Sequence, residues 1–357
     1  AGRKNAESSL FPYYTDDKIT ESADITGSKS IFQVQKDGQT SVWEPFTNRQ
    51  AGRYHISRNL YKNIYGNKVL FEEVNHDLGL TFRYAWNSSD VFGFVKKAAL
   101  INNTSSEVQI TVLDGIQNII PCGVDSELQK QASNLVDAYK RSELEKASGL
   151  GLYALSAIIV DRAEPSEALK ANIVWSMGLN SPTHLLSSLQ LDNFRNGNAI
   201  HGEADIKAER GAYFIHTDIV LGPEARQDWK IIADVNKDHS DVARIAKTIT
   251  EESQLDQQIE ADITLGTKGL IELNAAADGL QTTSDTLRDT RHFANALFNI
   301  MRGGIFDNNY QIEKQDLSSY LSKANRAVFK NANKVLEGLP DIFSLDKLRE
   351  VMHQHDD

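Results

Sequence analysis

Two short stretches carry residue types that bind metals. His201-Gly202-Glu203 and His216-Thr217-Asp218 each space a histidine and an acid at i, i+2. On a strand such a pair points to one side, and two pairs together would offer four donors to an ion such as zinc. Exposed strand polarity accounts for the same residues, and no metal is expected. The acids Glu72-Glu73, and Asp161 with Glu164, have the chemistry for acid–base work on a glycoside. Adjacent residues on a strand face opposite ways, so Glu72 and Glu73 cannot cooperate simply, and they are read as solvated charges. Gly149-Leu150-Gly151 lacks the third glycine of a dinucleotide loop and precedes a strand instead of following one. No Gly-x-Ser-x-Gly elbow occurs, so no catalytic residue is assigned. The aromatic residues Trp43, Tyr54, Tyr61, Tyr65 and Trp86 could stack on sugar rings, with core packing as the rival role.

The elements that would hold such residues are mainly β in the first part of the chain. "SIFQVQKDGQTSVWEPF" contains two alternating runs joined by Lys36-Asp37-Gly38, a hairpin signature. In the stretch from Asn67 to Ile116, Val69 and Phe71, then Leu80, Phe82, Tyr84 and Trp86 alternate with more polar neighbours, with breaks at Asn75-His76-Asp77, Asn87-Ser88-Ser89 and Asn102-Asn103-Thr104. This spacing predicts a large antiparallel sandwich. Leu128, Ala132, Leu135, Val136 and Tyr139 predict a helix over 126–141, and strands return in "LYALSAIIV", "ANIVWSMGL", "AYFIHTDIVL" and "DWKIIADV". Val242, Ile245, Ala246 and Ile249 predict a short helix at 241–249, with Ser240 as its N-cap.

After residue 250 the pattern turns helical. A polar, weakly periodic linker is expected near 250–282. A helix should follow, capped by Ser284 or Asp285 and running to Arg302 before Gly303. Its apolar residues cover well over half the circumference, which calls for burial on two sides. Helix is predicted again up to about 338, ending at Pro340, and over "LDKLREVMHQ". The division is a sandwich over 1–250 and a helical segment over 251–357.

Bulk properties limit the partners. The chain has 357 residues, 38 Lys and Arg against 49 Asp and Glu, and a net charge of −11. The scattered basic residues argue against nucleic acid or an anionic membrane as the main partner. A single cysteine, Cys122, excludes an internal disulfide framework and is read as a buried structural thiol. No stretch approaches the roughly 20 apolar residues of a membrane-spanning helix. A soluble protein of cytoplasm or periplasm is expected.

"YGNKVLFEEVNHDLGLTFRYAWNSSDVFGFVKKAALINNTSSEVQITVLDGI" resembles the amino-terminal super-sandwich of inverting glycoside phosphorylases of the cellobiose and chitobiose phosphorylase type. In these enzymes an "LGL-x-F/V" strand is followed by one close to "aalINnT", here Ala98 to Thr104. "TDIVLGPEARQDWKIIADV" is similar to their last sandwich strands. "RDTRHFANALFNIMRGGIFDNNYQIEKQDL" resembles the connection into their (α/α)6 barrel. The resemblance implies a role in carbohydrate metabolism, with an oligosaccharide substrate and phosphate as co-substrate if the parent enzyme is a phosphorylase. No other cofactor is implied. It also implies a homodimer supported by the sandwich. The general acid and phosphate-binding groups of such enzymes lie in the barrel, so none is carried over.

These readings combine into a sandwich and helical linker of a β-glycoside phosphorylase or hydrolase, itself inactive and supporting a separate barrel. Phe293, Leu297, Met301, Phe306 and Tyr310 are the expected interface residues. The alternatives are a free-standing carbohydrate-binding protein, or a sandwich-fold lyase or epimerase using a set such as His201, His216 and Tyr213.

Overall fold

The computed structural model describes residues 9–12, 22–36, 38–159, 168–303 and 310–354. Its strands are β1 (Gly27–Lys36), β2 (Gln39–Trp43), β3 (Ile56–Lys62), β4 (Val69–Asn75), β5 (Leu80–Ser89), β6 (Gly93–Asn102), β7 (Val108–Ile119), β8 (Lys140–Glu145), β9 (Leu150–Leu155), β10 (Lys170–Met177), β11 (Thr183–Leu185), β12 (Asp205–Lys207), β13 (Gly211–Leu221), β14 (Arg226–Asp238), β15 (Gln311–Glu313) and β16 (Ile342–Ser344). The helices are α1 (Ser126–Gln131), α2 (Ser133–Tyr139), α3 (Leu191–Arg195), α4 (His239–Glu251), α5 (Leu255–Ala276), α6 (Thr286–Met301), α7 (Lys314–Ala324), α8 (Arg326–Glu337) and α9 (Leu345–Gln354).

The fold is a mainly β sandwich followed by a helical segment. One sheet has five strands in the order β11-β13-β7-β1-β2, and the other has nine, β12-β8-β9-β10-β14-β6-β5-β4-β3. The chain divides into two compact units, residues 1–63 with 67–264, and residues 64–66 with 265–357.

Alternation builds the sandwich core. Phe32, Val112 and Ile215 from the five-stranded sheet meet Phe82, Leu100, Trp229 and Ile231 from the nine-stranded one. Side chains one position away turn outward. Val95, Ile173, Trp175 and Ile232 lie on the opposite face of the nine-stranded sheet, where Leu255, Ile259 and Ile263 of α5 cover them. The three helix residues recur every four positions, which keeps them on one side of α5. Residues 255–264 of the expected linker thus belong to the first unit, as a helix fixed to the sheet by a narrow stripe set among polar residues.

Other elements also differ from expectation. The helix over 126–141 is two pieces, because Ala132 sits at φ −140° and ψ 38°. Leu128, Val136 and Tyr139 still converge on Ile120, Val124 and Leu155. The helix predicted at 241–249 spans His239–Glu251, and its N-cap is Asp238, whose carboxylate accepts the Asp241 amide. Asp285 caps α6 at Leu287 and Arg288, and Gly303 after it adopts φ +72°, a left-handed conformation suited to glycine. Beyond it, Asn325 interrupts the predicted run, ending α7 and capping α8. A small core of Leu336, Leu339 and Phe343 joins these helices to the β15–β16 ribbon. Among the described residues no helix is long and apolar enough to cross a membrane.

Candidate functional site: a polar groove on the nine-stranded sheet

A groove of about 610 Å³ opens on the nine-stranded sheet, on the face turned away from the five-stranded one. Strand register sets its floor. One row runs across the strands as Tyr61, Leu70, Ala85, Lys97, Lys230 and Met177, each the cross-strand partner of the next. The neighbouring row runs Asn59, Glu72, Arg83, Ala99 and Asp228. Small residues at Ala85 and Ala99 leave the depression, while long charged side chains on either side form its walls. The start of α5 closes one end through Asp256 and Glu260. Gly178 permits close passage of the chain beside β14. At φ +99°, a Cβ there would stand 2.8 Å from the Asp228 carbonyl oxygen.

Every charged side chain lining this groove has an opposite partner. Arg83 bonds Glu72, Lys97 bonds Glu260, and Lys230 bonds Asp256 and, at 3.1 Å, Glu260. Arg226 clasps Asp228 with Nε–Oδ1 at 2.9 Å. Glu72 also accepts from Asn59 Nδ2 at 2.8 Å and from the Tyr61 hydroxyl at 3.1 Å. Burial opposes the charge on Glu72, but hydrogen bonds from Asn59 and Arg83 outweigh it and hold the carboxyl below its ordinary range. Burial likewise opposes the charge on Glu260, and Lys97 and Lys230 overcome it. Lys230 is raised despite burial by the hydrogen bonds of Asp256 and Glu260. Glu72, Glu260 and Lys230 therefore stay charged near neutral pH. A general acid needs a proton to give at working pH, so these two carboxylates are suited to binding and not to proton donation.

The expected aromatic platforms are scattered. Of these, Tyr61 alone lies beside the groove, half exposed on β3 as the cross-strand partner of the lining residue Leu70, with its hydroxyl fixed by Glu72. Trp43 is 1% exposed, its indole Nε1 donating to Glu73 at 2.8 Å, so it has no face to offer a sugar. Trp86 is half-buried and meets Phe11 edge-on. Tyr54 is half-buried, with its hydroxyl on the Val42 carbonyl and Arg53 over its ring. Tyr65 belongs to the second unit and packs against Phe293 at 5.3 Å.

Glu72 and Glu73 are not solvated charges, and both are buried. The strand turns Glu72 toward Arg83 at the groove's wall, and turns Glu73 toward Trp43, the Phe46 amide and Arg58. Each acid tolerates burial because a guanidinium and further donors satisfy it. The two histidine–acid stretches are also spent elsewhere. Glu203 accepts the Leu186 and Ser187 amides and the Gln190 side chain, fixing the loop after β11. His216 meets Phe194 edge-on, and Asp218 takes the Thr111 hydroxyl at 2.5 Å. Among the described residues no group of three or more His, Cys, Asp or Glu is placed to hold a metal. Tyr213 is fully buried, donating to the Gly149 carbonyl at 2.7 Å, so the His201, His216 and Tyr213 set is not assembled at a surface. His292 on α6 is half-buried, with its Nε2 2.7 Å from the Asp278 carbonyl oxygen.

Of the expected interface residues, Phe293 is buried, Leu297 is half-buried, and Met301 and Tyr310 are exposed; Phe306 lies outside the described residues. Leu287, Phe298 and Met301 are all exposed on α6, and their i, i+11, i+14 spacing sets them within about 60° of one another around the helix. Phe293 and Ala296, both buried, lie on the other side.

The groove residues gave no local signal, since its two rows gather residues from five or six strands that are far apart in the chain. The repeated charge–x–small pattern of Arg83-x-Ala85 and Lys97-x-Ala99 is the one trace of it in the sequence.

The chain carries a domain related to carbohydrate-active enzymes. Residues 306–357 match the family profile of the glycoside hydrolase family 149 insertion domain 1. No curated protein matches the chain. A bacterial glucoamylase complexed with acarbose is similar over 89% of this chain and 46% of its own, at 12% identity and a TM-score of 0.43. A polysaccharide lyase is similar over 68% of this chain and 31% of its own, at 10% identity and 0.40. A putative kojibiose phosphorylase from human microbiome is similar over 74% and 28%, at 7% and 0.30. The chain thus spans less than half the length of each of these structures. Likeness this distant assigns no activity.

Proposed function

We propose that this chain is the non-catalytic sandwich and helical connection of a carbohydrate-active enzyme, a β-glycoside phosphorylase or hydrolase, and that it supports a catalytic (α/α)6 barrel and the pairing of two copies. The observation that carries this reading is the match of residues 306–357 to an insertion domain of a glycoside hydrolase family. An insertion domain by its nature accompanies a larger enzyme. Two further features support the reading. The exposed apolar row of Leu287, Phe298 and Met301 on α6 lies opposite the helix's buried side, as expected of a helix packed between two modules. Glu260, which lines the groove, and Glu72, which binds the lining residue Arg83, are held ionised by their partners, which does not suit them to protonate a leaving group.

The test is an assay of the purified chain on β-linked gluco-oligosaccharides, with and without phosphate, reading sugar phosphate and reducing sugar. No turnover is expected from this chain, and turnover is expected once a barrel polypeptide is supplied. Turnover by the chain alone would overturn the proposal.

A further inference from the structure

We infer that the groove on the nine-stranded sheet is a binding site for a neutral oligosaccharide laid across the strands, separate from any catalytic centre. The inference rests on the reading of the chain as part of a carbohydrate-active enzyme, which supplies the ligand class. The geometry supplies the rest.

Shape comes first. The floor crosses β4, β5, β6, β14 and β10, four strand spacings or about 19 Å. That length suits an extended chain of several sugar rings better than a single small metabolite. Charge comes next. Each cation in the groove is bound to a carboxylate, so no net charge is left to attract a phosphate, sulfate or uronate. Such pairs still present acceptor oxygens and N–H donors side by side, the pattern that vicinal hydroxyls satisfy. The apolar parts of the floor, Leu70, Ala85 and Met177, face the carbon–hydrogen surfaces of the rings. Tyr61 stands next to Leu70 at the β3 end, half exposed and oriented by its hydrogen bond to Glu72. A half-exposed aromatic ring locked in place is a stacking platform that loses little side-chain freedom on binding.

The experiment is calorimetry or affinity electrophoresis of the purified chain against neutral gluco-oligosaccharides of β- and α-linkage, with heparin as an anionic comparison. Binding to at least one neutral series is expected, with none to heparin. Tyr61→Ala should weaken it about tenfold, and Tyr61→Phe should keep most of it. Ala85→Trp should abolish binding by filling the floor, while Leu60→Ser, at an exposed residue one position from Tyr61 in β3, should leave it unchanged. Thermal melts of each variant separate lost binding from lost fold. If no neutral series binds, if heparin binds instead, or if folded Ala85→Trp binds like the parent, the inference is wrong. These outcomes are independent of the turnover assay, so the groove can fail while the enzyme-part reading stands, and the reverse.

Discussion

The sandwich and the helical unit solve the burial problem differently. In the sandwich, sheets facing each other hide their largest side chains: Trp43, Phe82, Tyr153 and Tyr213 are all at most 1% exposed. In the helical unit a small cluster forms around Leu336, Leu339 and Phe343, while α6 sets Phe298 and Met301, 53% and 77% exposed, on its open side. A pair of sheets closes its own core. A helix packed on one side only leaves a stripe that something else must cover. The sandwich is therefore expected to be stable by itself, and the helical unit to depend more on its surroundings.

The largest expected effect lies inside the sandwich. Asp114 is fully buried between the sheets and accepts from Lys96 Nζ, Trp229 Nε1 and Ser30 Oγ at 2.5 to 2.6 Å. Asp114→Ala would strand a buried ammonium and an indole donor together. The cost should be about 3–5 kcal/mol in denaturant unfolding. A loss under 1 kcal/mol would mean that this core is looser than its burial implies.

Phe343→Ala tests the other side of the comparison. It removes one of three residues anchoring the small helical core and should cost about 3–5 kcal/mol there. Calorimetry should show the sandwich transition unmoved while a separate, lower transition broadens or disappears. If both transitions shift together, the two units do not unfold independently.

A smaller effect depends on pH. Burial opposes the charge on Glu44, yet hydrogen bonds from Arg195 and Lys29 outweigh it and hold the carboxyl below its ordinary range. A depressed carboxyl stabilises the fold above its unfolded pKa of about 4.3 and loses that contribution as pH falls through the lower folded value. Sandwich stability should therefore decline below about pH 4. Glu44→Gln should cost about 1.5–3 kcal/mol at neutral pH and flatten the acid limb of the curve. An unchanged acid limb would remove Glu44 from the account.

The same contrast explains what the sequence revealed. A strand such as β5 was legible because Leu80, Phe82, Tyr84 and Trp86 face the sandwich core while Arg83 and Ala85 face away from it, which is the condition for period-two alternation. On α6 the apolar residues that cover well over half the circumference divide between a buried side, Phe293 and Ala296, and an exposed one, Leu287, Phe298 and Met301. By contrast, α5 looked like a linker because its buried apolar contact with the sheet comes from Leu255, Ile259 and Ile263, and three residues in twenty-two make a faint stripe. Trp43 looked like a sugar platform because composition does not show that its indole is needed by Glu73. The groove was hidden for a topological reason. The β10-β14-β6-β5-β4 order brings Met177, Lys230, Lys97, Ala85 and Leu70 into one line, and nothing near any one of them in the chain announces the others.

The smallest effect on stability is the most informative about α6. Phe298→Ser changes an exposed side chain on the side opposite Phe293, so unfolding of the isolated chain should move by no more than about 0.5 kcal/mol. The same change should weaken association with a catalytic module if that stripe is covered in the complete enzyme, because apolar burial contributes about 25 cal/mol for each Å² removed from water. Sedimentation with and without the barrel polypeptide separates the two quantities. A destabilised isolated chain would mean that Phe298 is already packed and the stripe is closed within this chain. An unaffected chain that also associates normally would leave the stripe as ordinary surface and remove one support from the proposed assembly.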